Sequence, residues 1–241
     1  MISFIVPGLN EKDNIISTII EIENSCKISK LLDYEILFVD DGSTDGSSLE
    51  VEKYESELKK NIKIIKNEKN YGYGASIKIG ASSATKKNIC WVPADNSHPS
   101  KEIAKLISSI NKFDIISTYY SNSNERDPFR KKFTSLYTPI LNFIFNEKIP
   151  YYNGVTIIKK EIFINCNIQT GSHAFQLEMW SNIFLQKNNS IIFIPTLLTD
   201  RIEGATAFKF NNSVKVVFTT LRVIFLFYIK KSFKFIVRKI K

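Results

Sequence analysis

Cysteine is scarce in this chain of 241 residues, and its spacing is wrong for pairing. Cys26, Cys90 and Cys166 are odd in number and far apart, with no Cys-x-x-Cys motif. That argues against a disulfide framework and a structural zinc site, and it suits a reduced, cytosolic compartment. Long apolar runs are also missing: no uncharged stretch reaches the ~18 residues that a membrane-spanning helix requires. The sequence starts directly on a strand-like run, so no signal peptide is expected. Acid is absent from one end. Lys209, Lys215, Arg222, Lys230, Lys231, Lys234, Arg238, Lys239 and Lys241 close the chain without a single Asp or Glu among them. The whole chain holds 33 Lys+Arg against 24 Asp+Glu, so its formal net charge of +9 belongs to that segment and the rest is balanced. A neutral body without a recognisable reading module argues against nucleic acid as a partner.

What is present is a globular composition, 44% hydrophobic and 24% charged. No repeat or low-complexity linker divides it, and the simplest organisation is one domain over 1–210 with a C-terminal segment over 211–241. Apolar runs at Ile2–Val6, Tyr34–Val39, Ile62–Ile65, Ile89–Val92 and Phe113–Thr118 predict five strands. Helical patterns at Asn10–Cys26, Glu50–Lys60, Gly74–Ala84 and Lys101–Asn111 separate them. Strands alternating with helices of this length predict an α/β fold with a mostly parallel sheet, in which ligands sit beyond the strands' carboxyl ends. The second half is less regular. Tyr119–Asp127 reads as a polar loop, Pro128–Phe145 as a helix interrupted or bent near Pro139, and Val155–Ile158 as a strand. Ala174–Gln186 reads as a helix, Ile191–Ile194 as a strand, Leu198–Phe208 as a loop, and Ser213 onward as a basic helix.

Polar clusters follow the strands. Asn10 and Glu11 come just after the first, where a helix cap with a first-turn acid is the plain alternative to a binding role. Asp40 and Asp41 follow the second, and adjacent carboxylates repel, which makes a purely structural role less comfortable. Gly72, Gly74 and Gly80 follow the third, where glycines let backbone approach a phosphate at a helix start. Asp95 and His98 follow the fourth, an oxygen and a nitrogen ligand close enough to share a metal, with a proline-bounded turn as the alternative.

Taken together, FIVPGLNEKDNI, ILFVDDGSTDGS, NYGYGASIKIGA and WVPADNSHP resemble, in this order and spacing, the family 2 glycosyltransferases of GT-A fold. The dolichyl- or polyprenyl-phosphate sugar synthase branch is the nearest in flavour. The resemblance covers Ile2 to about Lys209. It implies a nucleotide site at Pro7, Glu11, Asp40, Asp41 and Gly74, and a divalent cation, Mg²⁺ or Mn²⁺, held on Asp95 against the donor's diphosphate, with His98 in possible support. Here the sequence departs from the family's aspartate-x-aspartate segment, since Pro93 replaces the first acid. Asn153 and Gly154, in Tyr151–Gly154, occupy the place of the acceptor segment. Glu178, in Phe175-Gln176-Leu177-Glu178, takes the place of the catalytic acid/base, with a solvated helix acid as its alternative. Arg201 resembles the arginine of a loop that closes on the diphosphate, and Arg130 is placed for an anionic acceptor.

The implied reaction is an inverting transfer from a nucleotide-diphosphate sugar to a lipid-linked or glycan acceptor. Two alternatives stand beside it: a polyprenyl-phosphate glycosyl synthase, and a catalytically weak nucleotide-sugar-binding subunit. In the tail, Val217, Leu221, Ile224 and Phe225 form an apolar face beside a basic stripe, which is the pattern of an interfacial helix on an anionic membrane surface. A core-packed helix with a solvated basic end is the rival reading. The expected location is cytoplasmic, peripheral on the inner face of the cell membrane.

Overall fold

The computed structural model describes residues 1–58, 62–121, 128–186, 188–199 and 210–240; within these, the side chains of 58, 128–134, 210–216 and 233–240 fall outside the description. Seven strands form one sheet: β1 (Ile2–Gly8), β2 (Tyr34–Asp40), β3 (Ile62–Lys66), β4 (Asn88–Trp91), β5 (Ile115–Tyr120), β6 (Thr156–Lys159) and β7 (Ile191–Thr196). Their spatial order is β3-β2-β1-β4-β6-β5-β7. All pairs are parallel except those of β6, which runs against both β4 and β5. The helices are α1 (Lys12–Ile28), α2 (Ser47–Leu58), α3 (Tyr73–Ser83), α4 (Ser100–Ile107), α5 (Pro128–Phe145), α6 (Lys160–Asn165), α7 (Phe175–Gln186) and α8 (Phe210–Ile240). The short α6 was not expected, and α5 runs through Pro139 as one helix.

Every residue of β1 is buried, because helices cover both faces of the sheet. Side chains alternate between the faces. Phe4, Val6 and Phe38 pack with Ile15, Ile19 and Ile22 of α1 and with Ile103, Leu106 and Ile107 of α4. Ile5, Leu37 and Val39 pack on the other side with Ile77 and Ala81 of α3 and with Phe175 and Trp180 of α7. The α1 residues recur at steps of four and three, the spacing that puts them on one stripe of a helix. Gly80 lets α3 lie directly on β1, since a Cβ there would meet Ile5 Cγ2 at 2.4 Å. The three cysteines are free and buried, and burial pushes the Cys26 and Cys166 thiols up to about 12.

The C-terminal helix is not detached from this body. Val223 and Phe227, one turn apart on α8, are buried in the same cluster as Trp180 and Phe184, and the Phe227 ring meets Phe145 edge-on at 4.8 Å. The side of α8 carrying Phe218, Leu221 and Phe225 is exposed. The helix therefore has a core-packed side and an apolar outward side. Among the described residues no helix is long and apolar enough to cross a membrane. At the sheet's other end Asp114 ties three strands together. It accepts from Ser190 N at 2.8 Å and Ser190 Oγ at 2.7 Å and pairs with Lys159 at the end of β6. The hydrogen bond from Lys159, followed by those from Ser190, lowers the Asp114 carboxyl to about 2.

Candidate functional site

The chain crosses from β1 to β2 on one side and reaches β4 on the other, so the sheet's switch point opens between the carboxyl ends of β1 and β4. Val92 N donates to Ile5 O at 2.9 Å and Ala94 N to Pro7 O at 3.4 Å, which sets Pro7 and Gly8 beside the segment that carries Asp95. The loops after β1 and β2 are latched to each other. Asn10 N donates to Ser43 Oγ (2.9 Å), Thr44 N to Asn10 Oδ1 (2.9 Å), Glu11 N to Ser47 Oγ (3.0 Å) and Lys12 N to Asp45 Oδ2 (2.9 Å). This corrects the cap reading of Asn10. Its φ of 55° places it in the left-handed region, and its amide reaches across to the second loop. Glu11 holds the cap position without a side-chain capping bond, and its Oε2 accepts from Asn14 Nδ2 at 2.9 Å.

The two adjacent aspartates are buried, and each has its own donors. Asp40 Oδ1 accepts from Ser43 N at 2.8 Å and Oδ2 from Ser48 Oγ. Asp41 Oδ1 accepts from Asn67 Nδ2 and Tyr71 N, and Oδ2 from Gly72 N, all at 2.9 Å. At a strand end neighbouring side chains project to opposite faces, so the carboxylates serve different loops and their repulsion is relieved. Asp41 thus fixes the loop that leads into α3.

The start of α3 differs from the phosphate cradle its glycines suggest. Gly74 N and Ala75 N donate to Gly171 O, at 2.9 and 3.3 Å. A Cβ on Gly74 would meet Ser172 O at 2.6 Å and Phe175 Cβ at 2.8 Å. These glycine-rich residues admit the protein's own 168–172 loop, whose carbonyl takes the donors a phosphate would use. Lys78 Nζ adds bonds to Ile168 O (3.2 Å) and Gln169 O (3.1 Å), and Arg222 of α8 donates to Gln169 Oε1. Glu178, in the first turn of α7, is buried and holds the same loop. Its Oε2 accepts from Gln169 N at 3.1 Å and Thr170 N at 2.9 Å. The solvated-acid alternative is therefore not what the structure shows. Among the described residues its Oε1 receives no hydrogen bond. Sequence reasoning passed over this loop, although Gly171 between polar neighbours was a turn signal. It passed over Tyr73 as well. That ring stacks on His173 at 4.9 Å, and burial followed by the Asp95 charge pushes its phenol well up.

Asp95 lies in the turn after β4, where its Oδ1 accepts from Ser97 N at 3.2 Å and Ser97 Oγ at 2.6 Å. Oδ2 receives no hydrogen bond among the described residues and is the oxygen left for a cation. His98 is buried in a cavity it shares with Glu102, Ile103, Leu106, Thr118, Val155 and Thr196. No group of three His, Cys, Asp or Glu side chains that could hold a metal occurs among the described residues. A hard cation that keeps waters and donor oxygens would fit on Asp95 alone as protein ligand.

The acceptor segment arrives by a reversal. Because β6 runs antiparallel and Trp91 pairs with Thr156, it is the start of β6, not its end, that lies at the carboxyl edge of β4. Asn153 is exposed there, while Gly154 is buried and its carbonyl accepts from Gln176 Nε2 at 2.9 Å. The Tyr151 ring meets Tyr120, the last residue of β5, at 5.2 Å. Pro7, Glu11, Asp40, Asp41, Gly74 and Asp95 thus line one edge of the sheet, with Asn153 and Gly154 alongside and Glu178 joined through the 168–172 loop. Arg201 lies outside the described residues, as does the side chain of Arg130.

The fold has counterparts among known proteins. The family model described as glycosyl transferase family 2 matches residues 3–169. Glucosyl-3-phosphoglycerate synthase from Mycobacterium tuberculosis, in complex with Mn²⁺, UDP and phosphoglyceric acid, superposes with a TM-score of 0.73 at 16% identity, over 93% of this chain and 78% of that one. The same synthase with Mg²⁺ and UDP gives 0.70 at 15%, over 93% and 79%. With Mn²⁺, UDP-glucose and glycerol 3-phosphate it gives 0.69 at 13%, over 94% and 79%. At such identities the superpositions show the fold, and the family model covers well over half of the chain. The chain belongs to glycosyl transferase family 2 and is a glycosyltransferase of GT-A fold.

Proposed function

We propose that the protein transfers a sugar, with inversion, from a nucleoside-diphosphate donor to a lipid-linked or glycan acceptor while resting on the inner face of the cell membrane. The observation that carries the reading is the carboxyl edge of the sheet, where the loops after β1 and β2, with Pro7, Glu11, Asp40 and Asp41, are latched together and Pro7 is hydrogen-bonded to the segment bearing Asp95. We assign the nucleoside to those four residues and the diphosphate end to Asp95. Mg²⁺ or Mn²⁺ on Asp95 would neutralise the diphosphate as it leaves. That use of metal has support from the mycobacterial synthase, whose structures hold Mn²⁺ or Mg²⁺ with UDP.

An acceptor oxygen on the Asn153 side would attack the anomeric carbon opposite the diphosphate. The new C–O bond forms as the bond to the diphosphate breaks, and the sugar inverts. A hydroxyl acceptor must lose a proton, and we give it to Glu178, whose Oε2 is occupied by two backbone N–H groups. A phosphate acceptor is already ionised and needs no such base. Phosphate-bearing acceptors have support from the same synthase, which is seen with phosphoglyceric acid and glycerol 3-phosphate. The outward apolar side of α8, with the acid-free tail, supports the membrane location.

The test screens nucleotide sugars for thermal stabilisation of the full chain, then measures turnover with Mn²⁺. We expect a stabilising donor, and Asp95→Ala to lose turnover. Equal turnover in the wild type and Asp95→Ala would remove Asp95 from the donor site. Donor binding without turnover in either protein would support the alternative of a binding subunit.

A further inference from the structure

Helices α5 and α8 run side by side and in the same direction. Tyr137 Oη lies 3.1 Å from Thr220 Oγ1, and Tyr228 Oη donates to Ile144 O at 2.7 Å, so matched residues rise together along both helices. Each turns one apolar side inward, Leu141 and Phe145 on α5, Val223 and Phe227 on α8. Each also has a second apolar side facing away from the core. On α5 this is Leu136, Ile140 and Phe143, at steps of four and three; on α8 it is Phe218, Leu221 and Phe225, at steps of three and four. Phe143 is 90% exposed, Phe218 70% and Phe225 66%. A helix facing water carries charge on that side, so two neighbouring helices with large apolar rows there mark an interaction surface.

The charges say what covers it. Neither helix contains an Asp or Glu. Arg130, Lys131 and Lys132 belong to α5, and α8 holds seven bases from Lys215 to Lys239. Apolar rows accompanied by base alone match an anionic bilayer, whose headgroups pair with the cations while its acyl boundary takes the rings.

We propose that the outward sides of α5 and α8 form one docking surface for an anionic lipid bilayer, with α5 supplying a full row of contacts. The proposal rests on the membrane location argued above and goes beyond it, since that reading needs the tail helix alone.

The test uses the full-length protein and sedimentation with phosphatidylcholine vesicles, with and without phosphatidylglycerol. Two surface variants are compared with wild type: Leu136→Ser/Ile140→Ser/Phe143→Ser and Phe218→Ser/Leu221→Ser/Phe225→Ser. We expect each to lower partition onto the anionic vesicles by about tenfold or more, with the donor-induced thermal shift unchanged. High salt should weaken wild-type binding. Wild-type binding by the α5 variant, together with loss in the α8 variant, would overturn the two-helix surface and leave the tail reading standing. Failure of the wild-type protein to bind either vesicle would remove both. Equal binding to vesicles with and without phosphatidylglycerol would overturn the anionic partner. A wild-type dimer that the α5 variant turns into a monomer would assign the face to a second copy of the chain.

Discussion

Glu178 can be tested in a way that separates chemistry from architecture. Its Oε2 accepts both Gln169 N and Thr170 N, so Glu178→Ala removes the acceptor of two backbone donors in a buried setting. Bonds to a charged acceptor contribute about 1.5–3 kcal/mol each, and partial rehydration of the loop returns part of that. A loss of about 3 kcal/mol follows, or roughly 6–12 °C in Tm for a chain of this size. Glu178→Gln is different. A single amide oxygen can keep both bonds, so only the charge assistance is lost and the cost falls to about 1 kcal/mol. Removing a general base costs about 10²–10⁴ in rate. Urea melts and single-turnover rates with a hydroxyl acceptor should therefore diverge in Glu178→Gln, with stability nearly intact, kcat down by at least about 10², and donor binding unchanged. A Glu178→Gln enzyme within about threefold of the wild-type rate would refute the base and leave Glu178 as the anchor of its loop. Equal destabilisation by Gln and Ala would refute the shared-oxygen geometry itself.

Three further outcomes follow from the geometry. Asp41→Asn keeps one oxygen for Asn67 and Tyr71 but turns an NH₂ towards Gly72 N, so a loss of about 2–3 kcal/mol in denaturant melts is expected; a change below about 0.5 kcal/mol would contradict it. Gly74→Ala drives a methyl against Ser172 O, and a loss of about 1–3 kcal/mol with weaker hydrogen-exchange protection of the 168–172 loop is expected; unchanged protection would show that the loop yields freely. The Asp114 carboxyl is lowered from 3.8 to about 2, so its stabilisation is complete above the unfolded value and fades as pH falls from about 4 towards 2. With solvent screening, Asp114→Asn should cost about 1–2 kcal/mol at neutral pH and converge on wild type near pH 2, and parallel stability curves across that window would rule the linkage out.

All seven strands were legible: inner strands such as β1 and β4, buried throughout, read as apolar runs, while β3 shows as isoleucines around an exposed Lys63. The helix α6 was not, since Lys160–Asn165 is too short for a periodic signal. Nor was the reversal of β6, because an apolar run of four residues carries no direction. The residues at the carboxyl ends of β1, β2 and β4 were found from their chemistry, but their partners were hidden by distance along the chain. Lys78 meets Ile168 across 90 positions, and Asp41 meets Tyr71 across 30. Gly74 illustrates the limit best. A glycine in a helix's first turn announces that something comes close, and only the fold tells that it is Ser172 and Phe175. The tail was half legible: its apolar periodicity was plain, while the division between a core side and an outward side depends on α7 and Phe145.

The reversed strand has a consequence for recombining the fold. Among the described residues, everything assigned to the donor nucleotide comes from β1 to β4 and their loops, a contiguous first stretch closed by the parallel ladder of β3, β2, β1 and β4. Everything assigned to the acceptor comes later, across the antiparallel joint between β4 and β6. Within the sheet the two halves meet along one line of backbone hydrogen bonds, but Phe175 and Trp180 also pack against Ile5 and Leu37, and the 168–172 loop holds the start of α3. A chimaera joined within α4 therefore has to match two surfaces at once, the ladder of β4 and β6 and the seat of α7 and its loop on α3.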